Sequence, residues 1–314
     1  MSDWGLADLP DQSGRTVVVT GANSGLGYAA TEAFVRRGAD VVMACRSVDR
    51  AREAAEEMHV PEGAGSLTVM ELDLASLNSV EAFAETYERE FEQLHVLCNN
   101  AGVMAIPRSE TEDGFEMQFG VNHLGHFALT GHLLDELQQT EGETRVVTHS
   151  SGMHERGRID FDDLQHERSY DKWEAYAQSK LANALFGFEL DRRLQAAGAS
   201  VVSAVCHPGY ADTNLQRRGP EMAGSRLRLL GMKVANAVFG QSAEQGALPL
   251  LYAATSPDIE GGEYVGPGGL LGMRGSPELQ EPAEQARDEA SAQRLWDVSE
   301  ELTGVEYHLP AADE

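Results

Sequence analysis

Two side chains that can exchange a proton, Tyr176 and Lys180, stand four residues apart near the start of an apolar segment. On a helix, this spacing places both side chains on one face. A phenol can give or take a proton, and a neighbouring ammonium favours the ionised form of that phenol. Alone, such a pair usually indicates only surface charge. Here it follows Ser150 and Ser151, which end a strand-like run, and a glycine-rich turn earlier in the chain.

The glycine-rich turn runs from Thr20 to Gly27 as TGANSGLG, between a valine-rich strand and a helix. Glycines let the backbone approach a pyrophosphate closely, and the helix N-terminus offers N–H donors and a positive dipole. Tight turns need glycine for their own sake, but the position directly after a buried strand favours dinucleotide binding. The predicted contacts are Gly21, Asn23, Ser24, Gly25, Leu26 and Gly27.

The residues after the following strands predict how a dinucleotide would be held, because ligands bind beyond the carboxyl ends of the strands in open parallel sheets. NAD-specific proteins usually have an acid after the second strand, whereas this chain has Arg46, which can pair with a 2′-phosphate. We therefore predict a preference for NADP(H) over NAD(H); the alternative is a solvated arginine. The further candidates for the cofactor site are Asp73, which could equally cap a helix, with Leu74, Asn99, Ala101 and Gly102.

Short apolar runs alternate with amphipathic segments from residue 15 to about residue 206. This rhythm predicts an α/β fold: one Rossmann-type, doubly wound parallel sheet with helices on both faces and a C-terminal helical extension. The predicted strands are Thr16–Thr20, Asp40–Ala44, Leu67–Glu71, Leu94–Cys98, Arg145–His149 and Ser200–Cys206, with a last short strand at Tyr264 and Val265. The predicted helices include Ser47–Met58, Leu77–Phe91, 242–254 and 283–303.

The same pattern divides the chain into an N-terminal arm, a main domain and a C-terminal extension. We assign residues 1–14 to the arm and 15–270 to a cofactor-binding and catalytic domain. Within that domain, residues 208–240 are rich in glycine and proline and predict a substrate loop or lid. Residues 271–314 form the predicted extension.

The charge of the chain restricts its partners. Among 314 residues, 51 are acidic and 24 are lysine or arginine, which gives a formal charge of −27. Such a surface repels nucleic acid and anionic membranes, so neither is expected as a partner. A dispersed acidic surface with few lysines suits a salt-rich cytoplasm, where repulsion is screened within about 3 Å at 1 M salt. We expect a halophilic source and a cytoplasmic location; the alternative is an ordinary acidic protein.

Together these motifs resemble the short-chain dehydrogenase/reductase family over residues 15 to about 265. The shared motifs, in the family's order, are TGANSGLG, the Asp73 site, NNAG, the pairing of Ser151 with YxxxK, and HPG. More narrowly, the runs VNHLGHF, RIDF, SKLAN and LWDVS resemble the branch that contains retinol dehydrogenases and WW-domain oxidoreductases. One departure is His149, where the family often has a small or apolar residue.

The resemblance implies a catalytic tetrad of Asn122, Ser151, Tyr176 and Lys180. In reduction, Tyr176 would give a proton to the carbonyl oxygen while a hydride reaches the carbon, and Ser151 would hold that oxygen by a hydrogen bond. Lys180 would lower the pKa of Tyr176, and both residues would also contact the cofactor. Asn122 would place a water or a backbone group in a proton relay to Lys180. The nicotinamide would be covered by Pro208, Gly209 and Thr213.

The predicted function is therefore an NADP(H)-dependent oxidoreductase that acts on a small-molecule carbonyl or alcohol. Two alternatives are an NADP(H)-binding sensor or interaction protein with little catalysis, and a nucleotide-sugar epimerase. No metal site is predicted, since His123, His126 and His154 lack ligand spacing and are expected to be packing or surface residues instead. Relatives often pair through the helix that carries YxxxK, so a homodimer or homotetramer is expected unless the C-terminal extension covers that surface.

Overall fold

The computed structural model describes residues 4–209, 242–269 and 272–309. Eight strands within these ranges form one sheet: β1 Thr16–Thr20, β2 Asp40–Cys45, β3 Leu67–Glu71, β4 Val96–Asn99, β5 Thr144–His149, β6 Val201–Cys206, β7 Tyr264–Pro267 and β8 Pro277–Gln280. Their order across the sheet is β3-β2-β1-β4-β5-β6-β7-β8. All neighbours from β3 to β7 are parallel, which confirms the predicted doubly wound α/β fold.

The structure has a strand that was not predicted: β8 follows β7, the predicted last strand, and pairs antiparallel with it. β8 reads Pro-Glu-Leu-Gln, and Leu279 is half exposed, so no apolar alternation marks it as a strand. A proline at the first position is tolerated at the edge of a sheet, where one side of the backbone needs no partner. The segment assigned to the C-terminal extension thus contributes the final strand of the main sheet.

The helices connect these strands and lie on both faces of the sheet. Their bounds are α1 Gly25–Arg36, α2 Val48–Glu57, α3 Leu77–Glu90, α4 Met117–Phe119, α5 Gly125–His132, α6 Leu134–Gln139, α7 Lys172–Ala196, α8 Ala243–Thr255 and α9 Glu289–Thr303. A π-helical stretch, Gly120–Leu124, joins α4 to α5. Asp171 and Asp288 cap α7 and α9, because the side chain of each accepts backbone N–H groups of the first turn.

The valines of β1 show why the sheet is a rigid platform. Val17 and Val19 face one hydrophobic core, and Val18 faces another on the opposite side; all three are fully buried. Burying each such side chain stabilises the fold by about 1.5–3 kcal/mol. The carboxyl ends of β1, β4 and β5 are therefore held at one edge of the sheet, where the predicted site residues follow them.

The C-terminal segment packs against the face formed by α5 and α7. The Trp296 ring lies 5.2 Å from Phe127 and 4.5 Å from Tyr307, measured between ring centroids. The Tyr307 hydroxyl also donates to the backbone oxygen of Phe127 at 2.7 Å. The Trp296 ring also stacks on Phe186 of α7, with 5.9 Å between ring centroids, so the chain's own C-terminal residues cover this stretch of the helix that carries Tyr176. Among the helices that the structure describes, none is long and apolar enough to cross a membrane.

Candidate active site

A cavity opens at the carboxyl edge of the sheet, beside the point between β1 and β4 where the strand order reverses. This is the position at which open α/β sheets bind ligands. Most of the cofactor contacts predicted from the sequence line it: Gly21, Asn23, Ser24, Gly25, Leu26, Gly27, Arg46, Asp73, Leu74, Ala101 and Gly102.

Two glycines of the turn after β1 are required by its backbone conformation. Gly21 and Gly25 have φ values of 69° and 57°, which side chains other than hydrogen rarely allow. Gly27 is required by space instead, since a Cβ there would lie 2.4 Å from the carbonyl oxygen of Gly21. The turn therefore brings backbone and the N-terminus of α1 to the cavity wall, which fits the pyrophosphate of a dinucleotide.

Two arginines border the cavity at the end of β2. Arg46 was expected there, whereas Arg50 was missed by sequence reasoning. The signal was present, because Arg50 follows Arg46 by four residues and α2 begins at Val48. Both guanidinium groups could pair with a phosphate group of a bound nucleotide.

Neighbouring asparagines at the end of β4 point in opposite directions. The Asn99 amide donates to Thr130 Oγ1 at 2.9 Å on the α5 side, and Asn99 does not line the cavity. Asn100, the second asparagine of the NNAG motif, lines the cavity and donates to the carbonyl oxygen of Thr20 at 2.8 Å. Successive side chains of an extended segment face opposite sides, so only one of the pair can face the cavity.

Tyr176 is buried, with 4% of its surface exposed, and lies in the first turns of α7. Burial raises the pKa of Tyr176 to about 12, and a hydrogen bond with the Ser151 hydroxyl opposes that shift. The sequence led us to expect a lowered pKa for Tyr176, whereas the net shift is upward, because burial outweighs the other influences on the phenol. The Lys180 ammonium lies 5.9 Å from the centre of the Tyr176 ring.

Lys180 connects the tyrosine to the cavity. Its ammonium donates to the backbone oxygen of His149 at 3.0 Å, and burial lowers the pKa of Lys180 to about 8. A Cβ placed on Gly102, which lines the cavity, would lie 3.7 Å from Lys180 Nζ and 3.0 Å from Asn122 Oδ1. Lys180 and Asn122 thus lie directly behind Gly102 in the cavity wall.

The two serines after β5 have different partners. The Ser150 hydroxyl donates to the backbone oxygen of Lys180 at 2.7 Å, so it fastens β5 to α7. The Ser151 hydroxyl accepts from the N–H of Met153 and is hydrogen-bonded to Tyr176. Of the two, the second serine therefore has the hydroxyl that can meet a substrate oxygen beside the tyrosine.

Asn122 lies in the π-helical stretch between α4 and α5 and is completely buried. Its amide donates to Val103 O and to Ser179 Oγ, both at 2.9 Å, and its side-chain oxygen accepts from Val103 N at 2.8 Å. The side chain thereby fixes the backbone after β4 to α7. Single π-helical turns inside α-helices are frequent at functional sites.

Pro208 and Gly209, which were predicted to cover the nicotinamide, follow β6 and are not among the residues that line the cavity. Gly209 has φ 65°, and a Cβ there would lie 2.4 Å from the carbonyl oxygen of Met273, so this position also requires glycine. Thr213 lies outside the described residues, as does the predicted lid beyond Gly209.

The histidines near the site are buried and hydrogen-bonded to the protein. His123 contacts Ser299 Oγ at 2.9 Å, and His154 Nδ1 contacts the carbonyl oxygen of Ser151 at 2.7 Å. His154 Nε2 accepts from the N–H of Ala283 at 3.1 Å. Across the part of the chain that the structure describes, no three His, Cys, Asp or Glu residues are grouped to hold a metal ion.

Comparisons with known proteins agree with this geometry. The family model described as "short chain dehydrogenase" matches residues 15–223. Retinol dehydrogenase 14 of Mus musculus is 44% identical over 93% of this chain and 86% of its own length. Polyprenol dehydrogenase of the same species is 42% identical over 95% of this chain and 86% of its own length. A crystal structure of a putative uncharacterized protein from Mycobacterium paratuberculosis is 43% identical, with a TM-score of 0.81, and covers 98% of this chain and 100% of its own.

Proposed function

This chain belongs to the short-chain dehydrogenase family, and we propose that it is an NADP(H)-dependent oxidoreductase with Tyr176 as its general acid and base. The family uses nicotinamide cofactors on small-molecule substrates. The observation that carries the proposal is the grouping of Tyr176 with Ser151, to which it is hydrogen-bonded, and with Lys180, whose Nζ lies close to Gly102 of the glycine-lined cavity.

The cavity fits a dinucleotide bearing a 2′-phosphate. The turn after β1 would hold the pyrophosphate with backbone N–H groups, and Arg46 and Arg50 would pair with the 2′-phosphate. Asp73 and Leu74 line the cavity beside these arginines, where an adenine would lie. When bound, NADPH supplies the hydride for reduction.

The protein's own groups would manage the proton and the substrate oxygen. A raised pKa keeps the Tyr176 phenol protonated at neutral pH, so it can donate its proton to the oxygen of a carbonyl substrate. Ser151 would donate a hydrogen bond to the same oxygen, whose negative charge grows during the reaction. Lys180, whose pKa is lowered to about 8, is mostly an ammonium at pH 7 and would stabilise the phenolate that remains.

The substrate class is proposed from the relatives' names. Retinol and polyprenol dehydrogenases both act, by name, on apolar alcohols. We propose that this chain converts an apolar alcohol and its carbonyl counterpart.

The test is to titrate the purified protein in molar KCl with NADPH and NADH, and then to follow NADPH oxidation with retinal and other apolar aldehydes. We expect tighter binding of NADPH and turnover of at least one aldehyde. Tighter binding of NADH would overturn the cofactor assignment. NADPH binding without turnover on any carbonyl would favour the alternative of a cofactor sensor.

A further inference from the structure

We propose that His126 is a positioning residue, which links the cofactor-binding turn to Asn122 through a fixed chain of hydrogen bonds. This inference rests on the function proposed above. His126 lies in α5 with 1% of its surface exposed. Its Nε2 lies 2.9 Å from Thr20 Oγ1, and its Nδ1 lies 3.0 Å from the backbone oxygen of Asn122.

The partners of Thr20 determine the direction of the first bond. Two N–H groups, of Asn100 and Ala101, donate to Thr20 Oγ1 at 2.9 Å each. A hydroxyl has two acceptor positions and one hydrogen, so both acceptor positions are filled. The hydrogen is left for the His126 Nε2 contact at 2.9 Å or for the backbone oxygen of Cys98 at 3.3 Å. The shorter contact takes it, and Nε2 of His126 is therefore an acceptor.

An acceptor at Nε2 fixes the proton of a neutral imidazole on Nδ1. Burial lowers the pKa of His126 to about 4, so the ring is neutral near pH 7. Nδ1–H then donates to the backbone oxygen of Asn122. The chain of bonds runs in one direction, from the N–H groups after β4 through Thr20 and His126 to Asn122. Hydrogen bonds aligned in this way strengthen one another in a buried site.

The two ends of this chain of hydrogen bonds lie in two different parts of the site. Thr20 is the first residue of the cofactor-binding turn, and Ala101 lines the cavity. Asn122 fixes Val103 and Ser179, next to Tyr176 and Lys180 on α7. In the π-helical stretch the Gly125 N–H reaches back five residues, to Gly120. The Nδ1–H of His126 donates to the carbonyl oxygen of Asn122 inside this π-helical stretch. His126 thereby holds Asn122 in position relative to the wall of the cofactor cavity.

Two amide substitutions separate the two bonds of His126. The amide of asparagine lies as far from Cα as Nδ1, so His126→Asn can retain the bond to Asn122 and loses the one to Thr20. The amide of glutamine reaches the position of Nε2, so His126→Gln can retain the bond to Thr20 and loses the one to Asn122. We expect His126→Gln to lower kcat at saturating NADPH about tenfold more than His126→Asn does. We expect the reverse order for the Kd of NADPH, with the larger increase in His126→Asn.

The control is His95, a buried histidine at the opposite edge of the sheet, whose Nδ1 accepts from the N–H of Thr16 at 3.0 Å. Its Asn and Gln variants should lower the melting temperature and leave kcat and the NADPH Kd unchanged. Equal kcat and equal Kd in the two His126 variants, measured well below their melting temperatures, would overturn the inference. A wild-type protein that binds NADPH without turnover would overturn the proposed function alone, because the order of Kd values still tests the Thr20 bond. A wild-type protein that binds no NADPH would overturn both.

Discussion

Arg46 and Asp73 face each other at the cavity wall, with 4.0 Å between Arg46 Nε and Asp73 Oδ2. The arginine side chain is 60% exposed, and ion pairs this exposed contribute at most about 1 kcal/mol. Asp73 Oδ1 is already engaged, because it accepts from the N–H of Ala75 at 3.0 Å. The carboxylate therefore orients Arg46 without binding it tightly, and the guanidinium remains available to a phosphate.

The first prediction concerns cofactor choice. Arg46→Ala and Arg50→Ala should each raise the Kd of NADPH by about 10- to 100-fold, since a hydrogen bond to a charged group contributes about 1.5–3 kcal/mol. The Kd of NADH should change little, because NADH lacks the 2′-phosphate. Fluorescence titration measures both constants. Arg52→Ala is the matched control, since Arg52 is exposed on α2, the helix that carries Arg50, and does not line the cavity. An equal rise in the Kd of NADPH and of NADH would contradict the assignment of Arg46 and Arg50 to the 2′-phosphate.

The second prediction concerns pH. Below pH 8, Lys180 carries its proton and Tyr176 is a neutral phenol, so both are in the state that reduction needs. As pH rises through about 8, Lys180 loses its charge while Tyr176 keeps its proton. The kcat for carbonyl reduction should therefore fall above about pH 8, as measured by NADPH oxidation at saturating substrate. A rate that stays constant to pH 10 would show that the charge of Lys180 is not needed.

The third prediction concerns the C-terminal segment. Trp296 is 2% exposed and also lies 4.3 Å from the Arg193 guanidinium, measured to its ring centre. Trp296→Ala should lower the free energy of unfolding by about 3–5 kcal/mol, as for other large buried aromatics. Trp173→Ala should cost less than about 1 kcal/mol, because Trp173 is 46% exposed. Chemical denaturation measures the free energy of unfolding of both variants. Similar losses in the two would mean that the C-terminal segment does not support the core.

The fourth prediction concerns salt. With a formal charge of −27, the folded chain repels itself, and the range of this repulsion falls from about 10 Å at 0.1 M salt to 3 Å at 1 M. We propose that the protein works in a salt-rich cytoplasm, and its melting temperature should rise from 0.1 M to 2 M KCl. A melting temperature that falls as KCl increases would argue against a halophilic source.

The fold and the glycine turn were predictable because their signals are local. The valines of β1 and the alternation of strands and helices indicate a parallel sheet, and Gly21, Gly25 and Gly27 follow the first strand. Arg50 was missed although its spacing from Arg46 is a local signal, whereas the other missed features of the site depend on contacts between distant residues. The burial of Tyr176, which reverses its expected pKa shift, and the contact of His126 with Thr20, 106 residues away, have no signature in a short window of sequence.

The central claim is that Tyr176 transfers the proton, and Tyr176→Phe tests it most directly. The variant lacks only the hydroxyl, so its NADPH Kd should stay within about threefold of the wild-type value, since any hydrogen bond lost to a neutral group contributes little. Its kcat for carbonyl reduction should fall by a factor of about 100 to 10,000, the usual contribution of a general acid. Undiminished kcat with intact NADPH binding would contradict the assignment of Tyr176.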